Sequence, residues 1–246
     1  MRNPDSEKCD LHGAPLGKPR CNTCAVRKLN ICAPLDDDEL ARLVALGNRL
    51  YYRKGTTFFG PEQRQGSFFK ITHGFVAVSR RLRDGRRQIV GLRVPGDIVG
   101  YLNTDGMYAF EGEALTDLVV CSFDRGGFDR FAAATSKLAS AVALALSEAL
   151  KQIGEEVTAM GQLKSVERVA GFLASLHETC RHRRLPTSPL PLPMSRRDLG
   201  DYLGLTMETV SRAFSELRDR KVIAIGETGV EILNHEVLAA IAKREG

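Results

Sequence analysis

The sequence changes its hydrophobic period once, near Ala132, and that change bounds what the chain can fold into. From Tyr51 to Phe131 the apolar runs are short. Glycine punctuates them at Gly55, Gly60, Gly66, Gly74, Gly85, Gly91, Gly96, Gly100 and Gly112. Phe68-Phe69-Lys70-Ile71 and Phe75-Val76-Ala77-Val78 read as strands about Gly74. Asp84-Gly85 is a hairpin signal answered by Gln88-Ile89-Val90-Gly91-Leu92. Many short strands at this spacing predict a β jelly roll or small barrel. A mixed α/β domain would need helical runs that this stretch lacks. Beyond Ala132, the residues Leu138, Val142, Leu146, Ala149, Ile153, Val157, Met160 and Leu163 recur near the helical period. A continuous helix there is about 45 Å long at 1.5 Å per residue. A small barrel cannot cover so long a stripe. A coiled-coil-like dimer seam along it is therefore favoured over a core helix.

A second helical pattern opens at Ser165-Val166-Glu167-Arg168, with Val169, Phe172, Leu173 and Leu176 on one face. Pro186, Pro189, Pro191 and Pro193 then predict an extended connector. Ser195 is placed to cap a helix over Arg196 to Leu203. Gly204 makes a turn, and Thr206 caps a second helix over Met207 to Arg218. Two short helices about a glycine turn are a helix-turn-helix. The apolar pairs Val222-Ile223-Ala224-Ile225 and Val230-Glu231-Ile232-Leu233, split by Gly226 and Gly229, add a wing hairpin. Glu208, Ser211 and Arg212 share one face near the start of the second helix. Arg can grip guanine with two hydrogen bonds, Glu can accept from cytosine, and Ser can serve either. That chemistry fits the major groove.

The cysteines carry a third signal. Cys21, Cys24 and Cys32 fall within twelve residues of a polar, basic segment flanked by Arg20, Arg27 and Lys28. Nearby cations favour the thiolate that a metal requires. Cys121 lies far downstream in Leu118-Val119-Val120-Cys121-Ser122-Phe123, where a thiol alone would read as a small buried hydrophobe. Four thiolates satisfy either a cubane iron–sulfur cluster or a structural zinc. A zinc site usually shows two Cys-x-x-Cys knuckles, and this chain has one. Cys9 and His12, with Cys-x-x-His spacing, stand in a proline- and glycine-rich arm without a partner set. Cys180 lies at a helix end beside Arg181, Arg183 and Arg184. It is either an incidental thiol or a second oxidation site, if those cations depress its pKa.

The net charge of +5 over 246 residues fits a nucleic-acid partner without demanding one. Neither a secretory h-region nor a membrane-spanning apolar run is visible, which predicts a cytoplasmic protein with no membrane partner. In a reducing cytosol clustered cysteines act as metal ligands or redox groups. The glycine-containing stretches lead into strands and form no phosphate loop. No Ser/His/Asp set or carboxylate pair stands out, so an enzyme is not expected.

Taken together, these segments resemble the Crp–Fnr superfamily of bacterial transcription regulators, and its oxygen-sensing Fnr branch in particular. The most specific stretch is Leu203-Gly204-Leu205-Thr206-Met207-Glu208-Thr209-Val210-Ser211-Arg212, which is similar to the Fnr recognition motif. The resemblance implies an α+β chain with a cyclic-nucleotide-binding-like β jelly roll, a long dimerisation helix and a C-terminal winged helix-turn-helix. The implied division is an arm at 1–20, a sensor domain at 21–133, the dimerisation helix at 134–163 and the DNA-binding domain at 164–246. It implies a [4Fe–4S] cluster on Cys21, Cys24, Cys32 and Cys121, whose seven-residue gap before Cys32 resembles alphaproteobacterial variants. It implies a homodimer that binds palindromic TTGAT-like half-sites through Glu208, Ser211 and Arg212, with Ser195, Arg196, Thr206 and Thr209 beside them. It also implies contact with RNA polymerase near Asp84-Gly85, and control of genes for anaerobic or microaerobic metabolism. Family members often carry an acid where this chain has Ile153. The alternative is a Crp-like regulator of another small-molecule or redox signal, its cysteines binding zinc or acting as thiol switches. A cyclic nucleotide suits this chain poorly, since no Lys or Arg lies between Pro95 and Asp124 and Tyr101 stands where related receptors carry an acid.

Overall fold

The computed structural model describes residues 17–101 and 103–243. The chain divides into two compact units, 1–150 and 151–246, and the division falls inside the long helix. Among the described residues no helix is long and apolar enough to cross a membrane.

The first unit opens with tight 3-10 turns at Cys21–Thr23 and Asn30–Cys32. Helix α1 (Asp37–Ala45) follows, its start fixed by a capping box between Asp36 and Glu39. Ten strands come next: β1 (Gly47–Tyr52), β2 (Thr57–Phe59), β3 (Ser67–His73), β4 (Val76–Arg81), β5 (Arg87–Arg93), β6 (Ile98–Val99), β7 (Asn103–Thr104), β8 (Met107–Tyr108), β9 (Glu111–Ala114) and β10 (Leu118–Asp124). They form antiparallel sheets in the orders β1-β10-β3-β6 and β2-β9-β4-β5, with β7 and β8 paired separately. This is the expected jelly roll. Its interior is filled by Tyr52, Phe58, Phe59, Phe69, Ile71 and Val76 from the two larger sheets, with Tyr108 from β8.

The sheet containing β3 and β10 is buried on both faces. Phe69, Ile71, Leu118 and Val120 point into the barrel, whereas Phe68, Cys121 and Phe123 join an outer core. That outer core is covered by Ile31, Cys32, Leu35, Leu40 and Leu43 from the cysteine loop and α1. Burial on both faces explains why β10 opens on the continuous apolar run Leu118-Val119-Val120-Cys121. At the end of the predicted arm, Gly17 accepts a bond from the Arg49 amide, and the Lys18 ammonium donates to the Ala45 and Gly47 carbonyls. Cys9 and His12 lie outside the described residues.

Residues 125–133, expected within the barrel or as the start of the long helix, form a separate helix, α2 (Arg125–Ala133). Asp124 caps it by accepting from the Gly127 amide at 2.6 Å. Paired glycines at 126–127 hide this helix from a propensity reading. The long helix α3 (Ser136–Gln162) then starts afresh. Lys137 bridges Asp36 and Glu39 at 3.3 and 2.9 Å, tying the root of α3 to α1.

The second unit holds the end of α3, α4 (Ser165–Arg183), α5 (Arg196–Leu203), α6 (Met207–Asp219), β11 (Ile223–Ile225), β12 (Val230–Ile232) and α7 (His235–Lys243). β11 and β12 form the wing. The proline-rich connector forms no helix and turns at Ser188-Pro189, and Leu190 bridges to Val230 of that hairpin.

Candidate metal centre and nucleic-acid interface

The cysteine loop is built from consecutive tight turns: the amides of Cys24, Arg27, Leu29 and Ala33 each bond a carbonyl three residues earlier. Arg27 closes the seven-residue gap. Its guanidinium donates to the Cys32 carbonyl, and also to the Leu35 carbonyl at 2.6 Å. Cys32 and Cys121 are buried, and Cys21 and Cys24 are half-buried. All four belong to one place. Burial first, then Cys32 and Cys24, push the Cys21 thiol up to about 11. Burial first, then Cys24, Cys32 and Cys21, push the Cys121 thiol up to about 12. Thiols that disfavour one another's ionisation in this way are close neighbours.

Sequence reasoning missed Lys70. It lies on β3 directly opposite Cys121 on β10 and is 1% exposed. Its ammonium donates to the carbonyls of Val26 (3.0 Å) and Leu29 (2.8 Å), both in the loop between Cys24 and Cys32. It also draws the thiols of Cys21 and Cys121 back toward ionisation. The available signal was a lysine inside the apolar run Phe68-Phe69-Lys70-Ile71.

The donor set fits a polynuclear thiolate centre. Four soft sulfur donors share the site, and burial raises the pKa of Cys21 and Cys121, so a cationic core is needed to make them thiolates; a buried ammonium stands ready to offset the resulting negative charge. Among the described residues, no three His, Cys, Asp or Glu side chains converge as ligands of one metal ion would. A cubane does not require that convergence, because each thiolate takes its own iron. The cyclic-nucleotide site that such a jelly roll can carry does not fit here. Tyr52, Phe58, Phe59, Phe69 and Tyr108 fill the barrel, with ring centroids 4.8–5.7 Å apart. Tyr101 packs instead against Phe68 and under the Arg125 guanidinium.

In the second unit, α5 and α6 meet through the turn at Gly204. Gly204 adopts φ +66°, and a Cβ at Gly200 would lie 2.6 Å from the Leu205 carbonyl oxygen, so both positions require glycine. Val210, Ala213, Phe214 and Leu217 bury one face of α6. Glu208, Ser211 and Arg212 are exposed on the other, together with Met207. Thr206 caps α6 by accepting from the Thr209 amide at 3.2 Å. The Thr209 hydroxyl lies 3.0 Å from that of Thr206 and accepts from Arg212 at 3.3 Å, so the two threonines orient the arginine. The Ser211 hydroxyl is turned back to the Met207 carbonyl at 2.9 Å. The carboxyl of Glu208 is held below its usual range by its own backbone amide and the Thr206 hydroxyl, and further by Arg212.

Several expected site residues have other employment. Ser195 caps α5 through reciprocal bonds with Asp198. Arg196 lies 3.4 Å over the Phe214 ring, and burial lowers its pKa, so it cements α5 to α6; the exposed cation at that helix start is Arg197. Cys180 is fully buried, and burial raises its pKa. The neighbouring arginines do not activate it, and it is a core thiol.

The predicted seam also divides. Leu138 and Val142 are buried in the outer core of the first unit and are unavailable to a partner. Met160 packs toward the Gly204 turn. Ala149 is half-buried. Leu146, Ile153 and Val157 are 38%, 40% and 60% exposed, and the unpredicted Leu150 is 71% exposed. These four alternate spacings of four and three, the heptad rhythm. Glu156, beside the stripe, accepts from the Tyr202 hydroxyl at 2.6 Å and so links α3 to α5. Arg168 adds a bond to the Leu203 carbonyl at 3.1 Å.

Residues 49–135 match the cyclic nucleotide-binding domain family, and residues 167–241 match the Crp-like helix-turn-helix domain family. The chain is 37% identical over 223 residues to the nitrogen fixation regulation protein FixK of Bradyrhizobium diazoefficiens, covering 90% of this chain and 93% of that one. It is 32% identical to the transcriptional activator protein FnrL of Cereibacter sphaeroides, over 87% of this chain and 88% of that one. The structure of FixK2 from Bradyrhizobium japonicum superposes with a TM-score of 0.72 at 31% identity, covering 79% of this chain and 96% of that one.

Proposed function

Since the chain belongs to the Crp–Fnr superfamily of transcription regulators, on its Fnr branch, we propose that it is an oxygen-responsive regulator whose DNA binding depends on a [4Fe–4S] cluster. The genes it controls serve anaerobic or microaerobic metabolism. The observation that carries this reading is the seating of the Cys21–Cys32 loop on the face of β10 that presents Cys121. When bound, the cluster would supply an oxygen-labile link between that loop and the sheet.

The rest is the work of the chain. The loop, α1 and the root of α3 share one outer core, so ordering the loop steadies the start of the dimer helix. Leu146, Leu150, Ile153 and Val157 offer that helix to a second copy. Pairing places two α6 helices on a palindromic site, whose half-sites lie about 34 Å apart. Glu208, Ser211 and Arg212 read TTGAT-like half-sites, and the exposed tip at Asp84-Gly85 meets RNA polymerase. Counting iron, sulfide and zinc in protein prepared without air tests the reading. Four irons and four sulfides per chain, lost on aeration, are expected; stoichiometric zinc without sulfide would overturn it.

A further inference from the structure

We infer that Lys70 is the positioning residue of the metal centre, acting both as the latch that holds the cysteine loop on the sheet and as the counter-charge of the cluster. The inference rests on the cluster reading above and goes beyond it, since it concerns a residue that is not a ligand.

Lys70 sits between Phe68-Phe69 and Ile71 on β3, directly opposite Cys121, on the sheet face that the loop covers. A lysine 1% exposed is rare unless a partner repays its desolvation. Among the described residues no carboxylate pairs with it. Its partners are the Val26 and Leu29 carbonyls, which use two of its three donors. Two neutral acceptors hold the loop but leave the charge unbalanced. Four thiolates around a dicationic [4Fe–4S] core carry a net double negative charge, and that anion would lie beside the ammonium. The latch and the charge are separable. Glutamine keeps a donor and loses the charge; methionine keeps the unbranched length and loses both.

The experiment compares wild type, Lys70→Met and Lys70→Gln, reconstituted without air. Iron and sulfide in wild type are measured first, so failure of the cluster reading registers separately from failure of this one. Three readouts follow: cluster content, the rate at which the visible absorbance decays in air, and the midpoint potential of the one-electron 2+/1+ couple with dithionite as reductant. A nearby cation favours the more negative reduced state. Both variants should therefore shift the potential to more negative values. Lys70→Met should also lose cluster several-fold faster than wild type, and Lys70→Gln should restore part of that loss. Wild-type potential and decay in both variants would overturn the assignment. If Lys70→Met holds no cluster, Lys70→Gln decides alone. Hydrogen exchange in the cluster-free proteins tests the latch independently. Faster exchange at the loop amides in Lys70→Met supports it, and unchanged exchange refutes it.

Discussion

Lys70 and Cys121 are cross-strand partners on β3 and β10, and both face the cysteine loop rather than the barrel interior. Strand periodicity makes this arrangement strict, because a slip of one residue would send Cys121 into the barrel and leave the loop without its fourth thiol. Substituting Cys121→Ser should abolish iron binding and leave the fold near wild-type stability, since serine is smaller and the loop retains Arg27 and Lys70. Substituting Cys180→Ser should leave iron content unchanged. Iron assay and circular dichroism on both variants check the pair.

The jelly roll, the wing and the helix-turn-helix were legible because glycine punctuation, strand alternation and caps all agree there. Ser195 and Thr206 cap where the sequence places them. What escaped was set by tertiary contacts. The helix at Arg125–Ala133 forms despite two glycines because the Asp124 cap and the burial of Phe128 and Phe131 outweigh weak propensity. The role of Lys70 is not legible in the sequence, because the pattern marks a strand but not which of its faces meets the loop. Arg196, expected beside the DNA-reading residues, stacks on Phe214, a contact that local sequence does not encode. Leu138 and Val142 share the helical period of the seam, and only the three-dimensional packing shows that the outer core claims them.

Arg212 is exposed, and its tie to Thr209 is long at 3.3 Å, so it is free to reach a base. Arg212→Ala should cost about 1–3 kcal/mol per half-site and relax one base position. Titrations against DNA variants at fixed salt measure this. Uniform weakening across all sequences would make Arg212 a phosphate contact. Arg197→Ala should show that uniform weakening, with a salt slope reduced by about one.

Tyr202 bonds Glu156 at 2.6 Å across α5 and the end of α3. A bond to a carboxylate contributes about 1.5–3 kcal/mol. Tyr202→Phe keeps the ring contact with Phe172 and removes the bond. The variant should loosen the helix-turn-helix from α3, lowering thermal stability of the second unit by an amount in that range. Unchanged melting would mean that solvent replaces the bond at no cost.

Burial raises the pKa of Cys180 above the 9.0 of an ordinary thiol. The folded state therefore favours the neutral thiol, and its contribution is complete below the unfolded pKa and shrinks as pH rises past about 9. The stability gap between wild type and Cys180→Ala should be constant from pH 6 to about 8 and narrow above about 9. Denaturant titrations at several pH values test this. Peroxide should affect DNA binding equally in wild type and Cys180→Ser.

Leu146, Leu150, Ile153 and Val157 form an exposed heptad stripe, and the acids near it are partly engaged elsewhere. Glu156 bonds Tyr202, and Glu155 lies 3.7 Å from Lys151 on its own helix. Like-charge repulsion across a parallel seam is therefore weak, and the apolar contribution of Ile153 decides its strength. In a parallel pair each Ile153 faces its copy, so Ile153→Asp removes two apolar side chains from the seam and sets two carboxylates close together. Losing about 1.5 kcal/mol of burial from each copy, or about 3 kcal/mol in all, weakens the dimer roughly a hundredfold before repulsion is added. Leu150→Ala should weaken it by a comparable factor, whereas Leu144→Ala, off the stripe although 61% exposed, should not. Sedimentation of each variant, with and without the cluster, measures the effect. If the cluster acts through the seam, it should tighten wild-type association and shift Ile153→Asp by a similar factor. Equal dimer affinity in both cluster states would place oxygen control in the orientation of α5 and α6 within a constant dimer.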